Sequence, residues 1–382
     1  MPRTRRKRLM MAALASLTVA ALAGCANLGY YWQSVNGHLL LLNAARPVQD
    51  WLDDALTPAT LKARLALAQR IRRFAVSELK LPDNLSYQRY ANLPRSAVVW
   101  NVVAAPEFSL TLKTWCFPVA GCVTYRGYFS EAEAQAEAAH LAAQGLETHV
   151  YGVPAYSTLG WMNWAGGDPL LSTFINYPEG ELARLVFHEL AHQVLYVPGD
   201  TVFNESFATA VERLGVQRWL QEPLSSASSV SSASPASIEA HQAYLNFDER
   251  RRQFRALTTA TRQELSRIYA PNSAFAHDTH AQAAMKIIAM QNFRDAYAQL
   301  KAGWNGYAGY DPWVARANNA SFGAQAAYDE GVPAFEALFE REDRDWQRFY
   351  QAVKQLAELP KAERHALLNI SPRPLQDEIL LK

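Results

Sequence analysis

His188, Glu189 and His192 stand in the order His-Glu-Leu-Ala-His. Two histidines four residues apart lie one above the other on a single helix face. Both imidazoles can therefore reach one metal ion without distorting the backbone. Glu189, one residue after the first histidine, is placed to take a proton from a water at that metal rather than to bind the metal itself. The chemistry such a set supports is hydrolysis by an activated water. With nine histidines in the chain, the pattern arises by chance in about one such sequence in a hundred, so its surroundings decide its weight.

Those surroundings are helical. Glu181 to Phe187 lead into the motif, with Tyr177-Pro178 before them, and proline is tolerated in a helix's first turn. Leu182, Leu185, Val186, Leu190 and Val194 recur at spacings of three and four, which predicts one buried stripe. Tyr196-Val197-Pro198-Gly199-Asp200 ends the helix, and Thr201 to Glu212 predicts a second. A catalytic zinc takes three protein ligands and keeps one position for water. A carboxylate from the second helix would complete the set, and Glu205 is the candidate.

Phe203-Asn204-Glu205-Ser206-Phe207-Ala208 resembles the N-E-x-F-A segment of gluzincin metallopeptidases, whose Glu is the third zinc ligand. The whole run Phe187 to Glu212 resembles a family of bacterial proteins described as putative zinc aminopeptidases. So do Trp115 to Cys122, Tyr125 to Phe129, Ala155 to Trp161, Asp168 to Thr173, Asn318 to Ala320 and Val332 to Phe335. The likeness covers most of the mature chain. It implies one Zn2+ per chain on His188, His192 and Glu205, Glu189 as general base, and a peptide or protein substrate. Better-known gluzincin aminopeptidases place more residues between the second His and the Glu; here twelve intervene. By count Glu212 is the rival ligand, and the N-E-x-F-A pattern favours Glu205. Glu212 lies about two turns on, on a similar face, where it could support a ligand from behind.

The G-x-M-E-N segment that holds the substrate's ammonium in those enzymes is absent. Asp168, in Gly166-Gly167-Asp168-Pro169, is the candidate replacement, with an ordinary turn as the competing reading. Tyr328, upstream of Val332 to Phe335, is the candidate donor to the carbonyl oxygen as it gains charge, against a packed core tyrosine. His277 and His280 could also donate, but their spacing beside Asp278 reads as surface. Asn318-Asn319 reads as a turn or cap. Aminopeptidase action thus rests on the family resemblance, whereas metal-dependent peptide hydrolysis rests on the residues. An envelope endopeptidase and a non-catalytic lipoprotein on the same scaffold are the alternatives. An intact Glu189 argues against the second.

The N-terminus reads as an address. Arg3, Arg5, Arg6, Lys7 and Arg8 precede an apolar run from Leu9 to Ala23, too short to span a bilayer comfortably. Leu22-Ala23-Gly24-Cys25 resembles a bacterial lipobox, which implies cleavage before Cys25 and lipid on its sulfur. Ala26, rather than Asp, then points to the periplasmic face of the outer membrane. Removing residues 1–24 leaves 32 of the 37 basic side chains against 36 acidic ones, a net charge of −4. No concentrated basic patch remains, so no nucleic-acid partner is expected. Arg250 to Arg252 follow Asp248-Glu249 and read as a mixed solvated face. Cys116 and Cys122 are expected to pair in an oxidising compartment; a zinc ribbon would need two more sulfurs. The sequence leaves the oligomeric state open.

The class expected is α+β: a zincin-like catalytic domain with a small mixed sheet and active-site helix, packed with a largely helical C-terminal part. The divisions are a signal peptide over 1–24, a lipidated N-terminus and helical segment over 25–85, the catalytic core over 86–222, a Ser-rich loop over 223–237 and the helical part over 238–382. Tyr30 to Ala45, with aromatic and leucine content, reads as a tether or a first helix, and Thr57 is expected to cap a helix that starts at Pro58. Strands are expected at Ala97–Val103, Ser109–Trp115, Val123–Phe129 and Glu147–Val153. Ser130 with Glu133 predicts a capping box, and Gly145 closes the helix it opens. An edge strand beside the zinc could pair with an extended substrate.

Overall fold

Amphipathic helices alternate with short strands, and the computed structural model, which describes residues 29–117, 121–155, 157–160, 163–225, 235–276, 278–325 and 331–369, assembles them into an α+β fold. A first helix, α1 (residues 29–44), leads into β1 (Arg46–Pro47), α2 (Val48–Asp53), α3 (Ala59–Ser77) and β2 (Arg89–Ala91). Then come β3 (Val99–Pro106), β4 (Trp115–Phe117), β5 (Gly121–Val123), β6 (Arg126–Tyr128), α4 (Glu131–Ala142), β7 (Leu146–Val153) and β8 (Leu170–Leu171). The rest is helical: α5 (Glu179–Val194), α6 (Thr201–Ser225), α7 (Pro235–Tyr269), α8 (Thr279–Gly303), α9 (Asp311–Ala315), α10 (Asn319–Gln325), α11 (Val332–Arg341), α12 (Trp346–Glu358) and α13 (Lys361–Leu367).

The strands form one antiparallel sheet in the order β6-β3-β7, one small sheet in the order β1-β2-β8, and the hairpin β4-β5. Cys116 and Cys122 face each other across that hairpin and are joined by a disulfide. Ser130 opens α4 by accepting from the Glu133 amide at 3.4 Å, as the capping box predicts. The buried small and leucine side chains of α4, Ala134, Ala138 and Leu141, close one face of β3. At the edge strand β7, Asn318 Nδ2 donates to the Thr148 carbonyl at 2.8 Å, and the Asn319 amide donates to Glu147 at 2.8 Å. Asn318 and Asn319 are thus structural anchors.

Three expected elements differ. The strand expected over Ser109–Trp115 does not form; only Trp115–Phe117 is strand. Ser109 Oγ accepts from the Thr111 amide at 3.0 Å, a local turn that competes with sheet pairing. Leu110 packs instead in a cluster of mainly helical side chains, and Leu112 packs with Val103 and Ala105 of β3, Tyr151 of β7 and Ala320 of α10. The capping position of α3 is Pro58, not Thr57, so the helix starts one residue later. Val123–Phe129 is broken into β5 and β6.

The main apolar core takes in Leu41, Leu65, Ile71 and Phe74 from the N-terminal helices. It continues through Leu182, Val186, Phe187 and Leu190 of α5, then Phe203 and Phe207 of α6, to Phe335, Phe349 and Leu368. The histidine-bearing helix is therefore packed on several sides. Its predicted stripe is buried at Leu182, Leu185, Val186 and Leu190, with Val194 at the margin.

Candidate metal centre

Pro178 precedes α5 in an extended conformation, and the helix ends where Leu195 turns extended. The link to α6 is short and clamped. Gly199 adopts φ +77, a conformation that favours glycine. Asn204 binds both the amide and the carbonyl of Val197 at 2.8 Å. Asp200 accepts from the Phe203 amide at 3.3 Å, which caps α6. From the C-terminal end, Arg364 reaches the buried Asp200 through Nε at 2.9 Å and Nη2 at 2.7 Å, and His365 adds a contact at 2.8 Å. The Arg364 guanidinium also lies 5.0 Å from the Phe203 ring centre. These contacts fix where α6 begins, and hence where Glu205 points. Asp200→Ala leaves Arg364 buried without its carboxylate, and is expected to cost about 3–5 kcal/mol of unfolding free energy. Chemical denaturation measures it, and a cost below about 1 kcal/mol would mean that the link holds without the clamp.

The clamp sets Glu205 against the two histidines. His188 Nε2 and His192 Nε2 stand 3.1 Å apart. Glu205 Oε2 is 3.3 Å from the first nitrogen, and Oε1 is 3.8 Å from the second. One ligand atom from each of the three residues falls within 4.8 Å of the others. Ligands about 2.1 Å from a tetrahedral ion stand about 3.4 Å apart, so the donor set fits a divalent ion and could bind one.

Glu212 sits behind His188. Its Oε2 is 2.9 Å from His188 Nδ1, and its Oε1 accepts from Arg184 at 2.8 Å. A carboxylate on the second ring nitrogen fixes the imidazole's orientation and leaves Nε2 facing His192 and Glu205. Glu212 is thus on the far side of the ring from the three converging ligands. Arg184 in turn pairs with Glu181, which also pairs with Arg251.

The electrostatics suit a cation. Burial alone would lower the His188 pKa, but hydrogen bonds to Glu205 and Glu212 and the charges of both raise it to about 10. The field that holds a proton there would also hold a metal ion. Burial, then His188, lowers His192 to about 4, leaving it as the neutral imidazole that a metal requires. Glu212 falls to about 2: burial opposes this, and Arg184 and His188 outweigh it. Glu189 is raised to about 7, first by burial and then by Glu205, Asp168 and Glu212, with His188 opposing.

A further set of side chains lies along the Glu189 face of α5, and sequence reasoning missed it. Gln193 is one turn past Glu189, on the same face. It accepts from Asn84 Nδ2 at 2.6 Å and donates to Ser86 Oγ at 3.2 Å and to Asp168 Oδ2 at 3.4 Å. Tyr87 follows Ser86 with φ +63, and its amide donates to the Asp168 carbonyl at 2.7 Å. Its hydroxyl is buried without a hydrogen-bond partner among the described residues. Burial, then the fields of Glu189 and Asp168, raises its pKa. Only a Gln at the position after the second histidine hinted at this contact; a tyrosine in the left-handed region leaves no mark in the sequence.

Asp168 is buried beside this face. Its carboxylate accepts from the Thr158 amide at 3.1 Å and from Ser157 Oγ at 3.4 Å, and burial raises its pKa. It lies in the field of Glu189. His280 is exposed at the start of α8. Tyr328, His277 and Cys25 lie outside the described residues. A cavity of about 670 Å³ lies between β7 and α7, with His149, Tyr151, Arg251, Phe254 and Trp313 in its wall. His188, His192 and Glu205 are not part of that wall; two wall residues lead toward them, Tyr151, which lies in the field of the Glu205 carboxylate, and Arg251, which pairs with Glu181 and through it reaches Arg184.

A family model described as "Putative aminopeptidase" matches residues 29–368. No curated protein and no solved structure matches the chain.

Proposed function

Since the chain belongs to the putative aminopeptidase family, we propose that it is a zinc-dependent peptidase of zincin-like architecture that releases N-terminal residues. The observation that carries this reading is the convergence of His188, His192 and Glu205 beside Glu189, with Glu212 bracing the first histidine. When bound there, zinc would supply Lewis-acid polarisation of the scissile carbonyl and a lowered pKa for water. Glu189 takes a proton as the water oxygen bonds to the carbonyl carbon. It then gives that proton to the leaving nitrogen as the C–N bond breaks. Glu212 and Arg184 keep the His188 ring oriented throughout. Tyr328 is proposed to donate to the carbonyl oxygen as it gains charge.

Asp168 is proposed to hold the substrate's free ammonium. In support, it is a buried carboxylate in the field of Glu189, and its hydrogen bonds come from neutral donors, Thr158, Ser157 and Gln193. The expected result is cleavage of a free-amine amino-acyl amide and sparing of its N-acetylated form. Asp168→Asn should lower kcat/KM on the free-amine substrate by at least about thirtyfold. Equal or faster cleavage of the blocked peptide by the wild type would make the enzyme an endopeptidase and return Asp168 to a turn role.

The mature chain is proposed to start at a lipidated Cys25 on the periplasmic face of the outer membrane, from the Leu22-Ala23-Gly24-Cys25 junction. Among the described residues no helix is long and apolar enough to cross a membrane.

A further inference from the structure

The outward face of α1 takes no part in the chemistry proposed above. Residues 29–45 contain no Asp, Glu, Lys or Arg. Along the helix, Trp32 is 70% exposed, Val35 56%, Leu39 49% and Leu40 61%, with Tyr31 beside them. These positions recur at three, four and one, so they form one stripe. Between them the exposed polar residues are Asn36 and Asn43, which are uncharged.

The helix cannot roll to hide this stripe. On its inner face Gln33 Oε1 accepts from the Phe129 amide at 3.0 Å, and Gln33 Nε2 donates to the Gly127 carbonyl at 3.3 Å. Gly37 lies so close to the Phe129 ring that an added Cβ would stand 2.2 Å from it. Tyr30 stacks on Phe117 of the disulfide hairpin at 5.4 Å and receives the Arg126 guanidinium at 4.2 Å. Leu41 is buried in the main core.

We propose that this stripe is a membrane-surface helix, seated in the headgroup region of the bilayer that carries the lipid anchor. The proposal rests on the lipoprotein reading for the choice of occupant. Trp32 is seven residues from Cys25, at most about 25 Å of extended chain, so the stripe would be held at the bilayer that receives the acyl chains. An exposed face with tryptophan, tyrosine and leucine and no charge suits the interfacial layer. Sixteen residues of helix are about 24 Å long, enough to lie flat and serve as a second attachment beside the lipid. The same helix carries His38 in the field of Asp168, so its seat on the membrane would also fix how the metal centre faces the bilayer.

The test floats the mature chain from Cys25 onward, produced without acyl groups, on phosphatidylethanolamine–phosphatidylglycerol vesicles. The unacylated chain should rise with the vesicles, and Val35→Lys with Leu39→Lys should weaken that partitioning at least about tenfold with unchanged melting and metal content. Should the double variant lose its melting transition, Trp32→Ser alone decides, since Trp32 is the most exposed of the set. No flotation at any lipid concentration, or equal flotation of the variants, overturns the proposal. A wild-type dimer that the lysines dissociate, without flotation, assigns the stripe to a second copy and also overturns it. Mass spectrometry of the native protein reports on acylation of Cys25 separately, so loss of the lipoprotein reading and loss of the membrane helix are told apart.

Discussion

Glu189→Gln is expected to lose peptide hydrolysis by about two or more orders of magnitude, the range for removing a positioned general base, while keeping its metal. Glutamine matches glutamate in shape but cannot take the proton. Glu189 is not among the three converging ligands, so the metal's binding should survive the change. The loss should fall on kcat rather than KM, because the base acts as the water attacks. Turnover of a free-amine peptide measures the first, and metal analysis of the same sample measures the second. Near wild-type turnover would remove Glu189 from the mechanism; loss of metal along with activity would make it a ligand.

The ligands should behave differently. His188→Ala and His192→Ala are each expected to abolish zinc binding, because three protein donors leave no spare. Glu205→Ala should weaken zinc more than Glu212→Ala. The first removes a converging oxygen. The second removes the brace on His188 Nδ1, a change that typically costs about 10–100-fold in affinity. Glu212→Ala carries a distinguishing mark, for it also strips Arg184 of its buried partner. That variant should melt earlier even without metal, and by more than Glu205→Ala, which in the metal-free protein loses its pairs with the histidines but leaves Arg184 its partner. The reverse order of zinc affinities would move the third ligand to Glu212.

Much of this site was legible in the sequence because helix periodicity is a local property. His188 and His192 share a face by spacing alone, and the apolar positions Leu182 to Leu190 told which side is buried. The choice between Glu205 and Glu212 was harder. Both lie on one face of α6, and what separates them is how the link between the helices is bent. That bend depends on Asn204 gripping Val197 and on Arg364 reaching Asp200 from more than 160 residues away, and no local pattern reports a contact of that range. The same limit hid Tyr87 and the Gln193 contacts. Where local chemistry competed with pattern, pattern lost: the alternation from Ser109 to Trp115 reads as a strand, but the Ser109 hydroxyl captured the Thr111 amide and turned the chain. The exposed stripe of α1 was visible as aromatic and leucine content from Tyr30 to Ala45. Which of those side chains face outward required the packing of Gly37 against Phe129.

In the proposed mechanism hydrolysis depends on one zinc ion held by His188, His192 and Glu205. The most direct measurement strips the purified protein with a chelator, confirms that it remains folded, and follows peptide hydrolysis as zinc is added back. Activity should be lost on stripping and return in proportion to zinc until about one ion per chain is bound, with no return in His192→Ala. Full hydrolysis by the stripped, folded protein would contradict the claim.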